Sequence, residues 1–483
     1  MPDSFDQQLN DALAPLSQAF ASVVFVEVPL FGVGVPLVVA LLVASAVFFT
    51  LYYGFINVRG IPLAIRTLRG AFDDHDAPGE ITHFQALATA VSGTVGIGNI
   101  GGVAVAIAAG GAGATFWMIV AGLLGMATKF AECTLGVRYR IEHPDGSVSG
   151  GPMFYLQRGL EERGFPTAGR ALGSFYALGI VIGCLGAGNM FQANQAYVQL
   201  RAATGGDASP LDGLGWLVGL VLAVLVGAVI LGGIRSIAAV TGRLVPLMAG
   251  LYFVGAVSVI VLNLGALPAA IAAIVEQAFT GEAVAGGALG AMIVGMKRAV
   301  FSNEAGIGSA SIAHSAVKTR LPATEGLVAL FEPFIDTVVI CTLTALVIGV
   351  ADQTWPGFMT SGLEGVAMTS DAFGRTVWWF PYPLALAAVL FAVSTMLSWS
   401  YYGLKGWTYL VGPSSSRQTA YKLVFCVFIV IGAAIKLDAV LDFSDAMVFV
   451  LCVPNILGLL VLGPVVKEEL ARLRAEAEKS PSA

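Results

Sequence analysis

The stretch SGTVGIGNIGGVA, residues 92 to 104, decides the fold, because it sets five glycines and an asparagine inside an apolar run long enough to cross a membrane. Each glycine costs about 1 kcal/mol against alanine in a helix interior, so the cluster points to a helix that is interrupted. A second stretch, FSNEAGIGSASIAH from Phe301 to His314, repeats the design with Asn303 and Glu304 at mid-span. Both carry Gly-Ile-Gly followed by a small amide or hydroxyl residue: Gly96, Ile97, Gly98, Asn99 and Gly306, Ile307, Gly308, Ser309.

The chain around them has 483 residues, 57% hydrophobic and 12% charged, with 59 glycines and a mean hydropathy of +0.83. Charge is half the usual quarter, which excludes a soluble globular protein as well as a disordered chain, a collagen and a coiled coil. A net charge of −6 leaves no basic field for nucleic acid. Five cysteines lie scattered in apolar runs, giving neither a disulfide framework nor a zinc site. Residues 1 to 58 hold no Lys or Arg, so the basic region of a cleavable signal is missing and the first apolar block, from about Phe31, is expected to be retained.

An all-α integral membrane protein follows. Eleven apolar segments are expected near 31 to 56, 84 to 110, 113 to 136, 171 to 200, 213 to 233, 243 to 264, 285 to 317, 325 to 350, 382 to 403, 418 to 436 and 441 to 463. The long connections 141 to 169 and 352 to 381 are expected to carry short helices, one starting at Gly150-Gly151-Pro152. With the N-terminus outside, nineteen Lys and Arg fall on the cytoplasmic side against three outside (Arg201, Arg375, Lys436), which orients the chain N-out and C-in.

The interrupted segments are the second and the seventh, so each starts one of two successive five-helix units. The chain therefore divides into an N-terminal part with one extra helix (1–83), a five-helix repeat (84–264), a second five-helix repeat inverted against it (285–463) and a cytoplasmic tail (464–483). Broken helices at matching positions of inverted repeats are the sequence mark of a secondary transporter and of its substrate site. Unwinding frees carbonyls for a hard cation, and the N–H groups of a half-helix attract a carboxylate. The same glycines match G-x-G-x-x-G, but no strand precedes them and position 116 is Phe, so a dinucleotide site is rejected; close helix packing remains the competing explanation.

Other polar residues divide between structural and functional readings. Glu304 is either paired, with Lys297 or Arg298 at hand, or protonated and functional. Asn189 and Gln192 either cross-link helices or line the cavity. Ser394 and Thr395 either bond back to carbonyls one turn earlier or complete an oxygen cage for Na⁺. Lys129 and Glu132 read as an ion pair, Glu332 and Asp336 as acids facing a polar interior with a possible proton role. The histidines His75, His83, His143 and His314 read as isolated.

Three strings, Thr94 to Ala104, Ser149 to Tyr155 and Phe301 to His314, resemble the alanine/glycine:cation symporter family, with supporting matches at Gly188 to Asn194, Leu231 to Arg235, Phe334 to Thr337 and Ser398 to Gly403. The resemblance spans about residues 80 to 463 and implies a bacterial or archaeal inner-membrane symporter of the leucine-transporter fold that moves alanine or glycine with Na⁺. The first broken segment is also similar to that of the neurotransmitter:sodium symporters. Laid on that pattern, the Na⁺ ligands are the carbonyls of Ser92, Val95 and Phe391 and the hydroxyls of Ser394 and Thr395. The substrate carboxylate meets the backbone of Ile97 and Gly98, next to Asn99, and its amino group the backbone near Phe301 and Ser302, beside Asn303. Trp399 walls a side-chain pocket with room for a methyl or a hydrogen. Many family members have Thr where this chain has Ile97, so that position offers backbone groups alone.

The sequence thus points to Na⁺-coupled symport of small neutral amino acids, with a lipid bilayer around it and no nucleic acid or obligatory protein partner. A proton-coupled transporter using Glu304 or Asp336 is the alternative. A channel lacks its continuous polar stripe, and an enzyme its nucleophile, base and metal ligands.

Overall fold

The computed structural model describes residues 5–30, 33–74, 76–280, 287–360, 362–363, 365–434 and 438–479. His75 and Lys436 lie outside them. The described chain is nearly all helix, as hydrocarbon demands of a backbone whose polar groups must be satisfied within the segment. Seven helices are long and apolar enough to cross a membrane: Gly113–Arg138, Pro166–Ala203, Gly233–Leu262, Pro322–Thr354, Pro381–Val411, Ser415–Ala434 and Asp445–Lys479. An eighth forms if His83–Thr94 and Gly98–Gly110, bent by 52° at their junction, are one span. Three more expected segments are helices of 16 or 17 residues: Leu37–Tyr52, Gly215–Ile230 and Gly287–Asn303.

Three elements differ from the sequence expectation. The segment expected from 31 begins as a helix only at Leu37, because Glu27–Leu30 and Val33–Pro36 pair antiparallel and Pro36 supplies the extended residue before the helix. A helix at Phe5–Val24, whose Asp and Gln residues interrupt its apolar run, packs on Asp438–Val450 through Phe20 and Phe443, ring centroids 5.1 Å apart. Leu267–Thr280, too short to span, fills the gap expected between segments. The connecting helices are present as Pro152–Glu162 and Gly365–Thr376.

Both breaks have local causes. His83–Thr94 opens with a reciprocal cap, in which Gln85 N–H donates to the Thr82 hydroxyl and Thr82 N–H to the Gln85 side chain. It ends at Val95, whose ψ of 98° turns the chain out of the helix before a π-helical turn at Gly98–Gly102. At the second break Glu304, Gly306 and Gly308 all take left-handed φ values of 56°, 94° and 92°. Two glycines do so freely, whereas Glu304 is strained by about 1–3 kcal/mol and must be held by its surroundings. Two further π-helical turns, Gly186–Met190 and Phe334–Cys341, lie within long helices. All three π turns contribute residues to the region between the breaks, as such turns commonly do at functional sites.

Candidate functional site

The two breaks, the helix Pro166–Ala203 and the helix Pro381–Val411 enclose a cavity of about 40 Å³. Gly96, Gly98, Gln192, Phe301, Ser302, Glu304, Thr395 and Trp399 are among its walls. The volume takes about three waters, whose combined share of liquid is about 90 Å³, comparable to one glycine or alanine.

Trp399 owes its position to two contacts. Its indole N–H donates to the Gly93 carbonyl at 3.1 Å. Its ring lies so close to Gly188 that a Cβ there would sit 2.4 Å from Cγ. Gln192 donates to the Ala187 carbonyl at 3.2 Å, and its Oε1, buried and without a hydrogen-bond partner among the described residues, is left for the cavity it lines.

Beside the cavity, Ser92, Phe391, Ser394 and Thr395 gather hydroxyls and carbonyls in one buried place. Thr395 donates across to the Ser92 carbonyl at 3.1 Å, and Ser394 back to Phe391 O at 2.9 Å. The Ser92 hydroxyl lies 3.3 Å from Ser394 O and pairs with Ser398. Val95 is fully buried at the end of the half-helix. The donor set is neutral oxygen only, which suits a hard monovalent cation that must also leave.

The other expected residues sit behind these walls. Asn99 holds the breaks together: its amide N–H₂ reaches Asp336 Oδ1 at 2.6 Å and Ser302 Oγ at 3.1 Å, and its Oδ1 accepts Gly96 N–H at 2.7 Å. Asp336 also accepts the hydroxyls of Ser302 at 2.8 Å and Thr337 at 2.7 Å. Asn303 donates to Thr337 at 3.0 Å, and Asn189 donates to Phe425 O at 2.7 Å on a neighbouring helix. Ile97 is 1% exposed. None of Ile97, Asn99, Asn189, Asn303 and Asp336 is a wall of this cavity.

The buried charges are arranged differently from the sequence expectation. Lys129 pairs not with Glu132 but with Glu332, at 2.9 Å. Glu132 instead accepts Gly306 N–H at 2.8 Å and the Asn455 amide at 2.8 Å, while Asn455 also donates to Gly306 O. Glu304 is reached by the Ser309 hydroxyl, not by Lys297 or Arg298. His83 and His314 are not isolated, since both engage Glu325, His314 at 2.5 Å. The Ser309 contact braces Glu304, and those of Glu132 and Asn455 brace Gly306, in their left-handed conformations. Sequence reading passed over Glu325 and Asn455; the signal available was a carboxylate and an amide inside otherwise apolar runs. Arg140, in the connection after Gly113–Arg138, donates to the carbonyls of Pro78, Ser315, Val317 and Thr319, tying both broken helices to that loop, and its burial lowers its guanidinium pKa.

Two interrupted helices meeting at a small, polar, buried cavity within a helical membrane bundle define a secondary transporter. The chain belongs to the sodium:alanine symporter family, whose model matches residues 19–482. It is a transporter and not an enzyme. It is 39% identical over 436 residues to the sodium/alanine symporter AgcS of Methanococcus maripaludis, covering 90% of this chain and 93% of that one. It is 33% identical to the probable sodium/glutamine symporter GlnT of Bacillus subtilis, covering 89% and 86%. Among solved structures, MhsT in complex with L-phenylalanine superposes with a TM-score of 0.55 at 16% identity, covering 80% of this chain and 88% of that one, a likeness of fold.

Proposed function

We propose that the protein takes up alanine and glycine together with Na⁺ across a bacterial or archaeal inner membrane, by alternating access around the central cavity. Eleven spans, N-terminus outside and C-terminus inside, form two inverted five-helix repeats behind one added helix. The observation that carries the reading is the small cavity placed directly beside the neutral oxygen cluster. A cavity of about 40 Å³ walled by Trp399 and Phe301 among others favours a side chain shorter than glutamine's.

In this reading the substrate carboxylate lies on the backbone of Ile97 and Gly98 at the start of a half-helix, where N–H groups point outward. Its ammonium faces Gln192 Oε1 and the carbonyls freed near Phe301 and Ser302. Na⁺ enters between Ser92, Val95, Phe391, Ser394 and Thr395. Thr395 touches both compartments, since a Cβ on Gly96 would lie 3.0 Å from its hydroxyl. Loading the cation fixes Ser92 and Val95 at the end of one half-helix, directly before the break whose backbone binds the carboxylate, which couples the two events. The driving force suffices: a tenfold Na⁺ gradient and a potential of about 100 mV together give about 3.7 kcal/mol, roughly 500-fold accumulation at one Na⁺ per zwitterion.

The test is uptake of labelled alanine into proteoliposomes under an imposed Na⁺ gradient, an imposed proton gradient, or neither. Uptake that requires Na⁺ supports the reading. Uptake driven by protons alone replaces it with the proton-coupled alternative, which the position of Glu304 in the cavity wall favours. No uptake under any gradient removes alanine as the substrate.

A further inference from the structure

A second cavity, about 270 Å³ and thus far roomier than the central one, is lined by Lys297 and Arg298 on one side and by Asp442 and Asp445 on another. Phe301 belongs to the walls of both cavities, and it stacks on Phe449 with centroids 6.3 Å apart. The Lys297 ammonium lies over the Phe25 ring, 4.6 Å from its centre. The two cations therefore face the two acids across open space and do not close into ion pairs among the described residues. Lys297, Arg298 and Asp445 are half-buried and Asp442 is exposed, so the charges stay open to a ligand entering the cavity, and the arrangement has the complementarity of a zwitterion: fixed positive charge for a carboxylate, fixed negative charge for an ammonium. In the orientation proposed above, this cavity lies on the outer side of Phe301, where a substrate arrives.

We propose that it is an outer antechamber that binds free α-amino acids by their two charged groups, whatever the side chain, with Phe301 as the partition to the central cavity. Size selection then falls to the inner cavity alone. The inference uses the transport reading for the direction of approach, while the binding itself is independent of it.

The experiment uses phenylalanine as a probe too large for the central cavity. In proteoliposomes of the whole protein, phenylalanine should inhibit Na⁺-driven alanine uptake without being accumulated, and neither phenylacetate nor phenethylamine should do so at the same concentration. Arg298→Gln and Asp445→Asn should each raise its inhibition constant about tenfold or more, as expected on losing a charged hydrogen bond. Gln192→Leu, in the central cavity, should leave that constant unchanged. No inhibition by phenylalanine, inhibition unaffected in both charge variants, or inhibition that follows Gln192 would overturn the proposal. If one charge variant fails to reach the membrane, the other carries the same test. If the wild type moves no alanine, the transport reading fails, and calorimetric binding of phenylalanine to the wild type against Arg298→Gln still decides the antechamber.

Discussion

The Ser92 carbonyl accepts the Thr395 hydroxyl at 3.1 Å, joining an interrupted helix to an unbroken one 303 residues further along the chain. The carbonyl is available because Val95 leaves the helix three residues later, and the hydroxyl because Thr395 does not bond back within its own helix. That contact brings together the two elements proposed to hold Na⁺.

Replacing Thr395 by Ala removes the one hydroxyl that, among the described residues, is shared by the oxygen cluster and the cavity wall. The Na⁺ concentration for half-maximal alanine uptake should rise about tenfold or more, and Ser394→Ala/Thr395→Ala should abolish Na⁺ dependence. Unchanged Na⁺ dependence in the double variant, measured in proteoliposomes, would remove these residues from the cation site.

Gln192→Leu keeps the volume and removes the unpartnered Oε1. The KM for alanine should rise about tenfold while the Na⁺ dependence stays near wild type, since an acceptor to a charged donor is lost. Equal changes in both would place Gln192 in general packing.

Gly188→Ala puts a methyl 2.4 Å from the Trp399 ring, so the ring must shift in a cavity sized for glycine or alanine. The ratio of alanine to glycine uptake should fall. Trp399→Ala should open the same wall and admit glutamine in competition assays; a Trp399→Ala protein still blind to glutamine would relieve Trp399 of its part in selection.

Lys129 and Glu332 are both fully buried and 2.9 Å apart. Lys129→Met alone strands a carboxylate and should cost about 3–5 kcal/mol, whereas Lys129→Met/Glu332→Gln should recover much of it. Thermal denaturation in detergent measures both; a double variant no better than the single would show that Glu332 does not depend on Lys129.

The helical membrane class and both breaks were legible because they rest on local facts: apolar length, and glycines where a helix cannot use them. Gly150-Gly151-Pro152 likewise announced the helix at Pro152–Glu162. The amphipathic helix Phe5–Val24 and the short Leu267–Thr280 escaped because their apolar content falls short of a membrane run. Pair identities escaped for a different reason. Lys129 and Glu132 share a helix face by spacing, yet Glu332 lies closer in space, and His83 and His314 are 231 positions apart while sharing Glu325.

The sequence by itself determined that this chain crosses a membrane, where its helices unwind, and that polar groups collect at those breaks, since each follows from the nature and spacing of neighbouring residues. Only the tertiary structure decided which polar groups face the cavity and which hold it together. Asn99, Asn189 and Gln192 are alike in chemistry, but Asn99 turns to Asp336, Asn189 to Phe425, and Gln192 alone keeps an acceptor toward the cavity. A buried amide takes whichever partner packing brings within about 3 Å, and that choice is made by helices far apart in the chain.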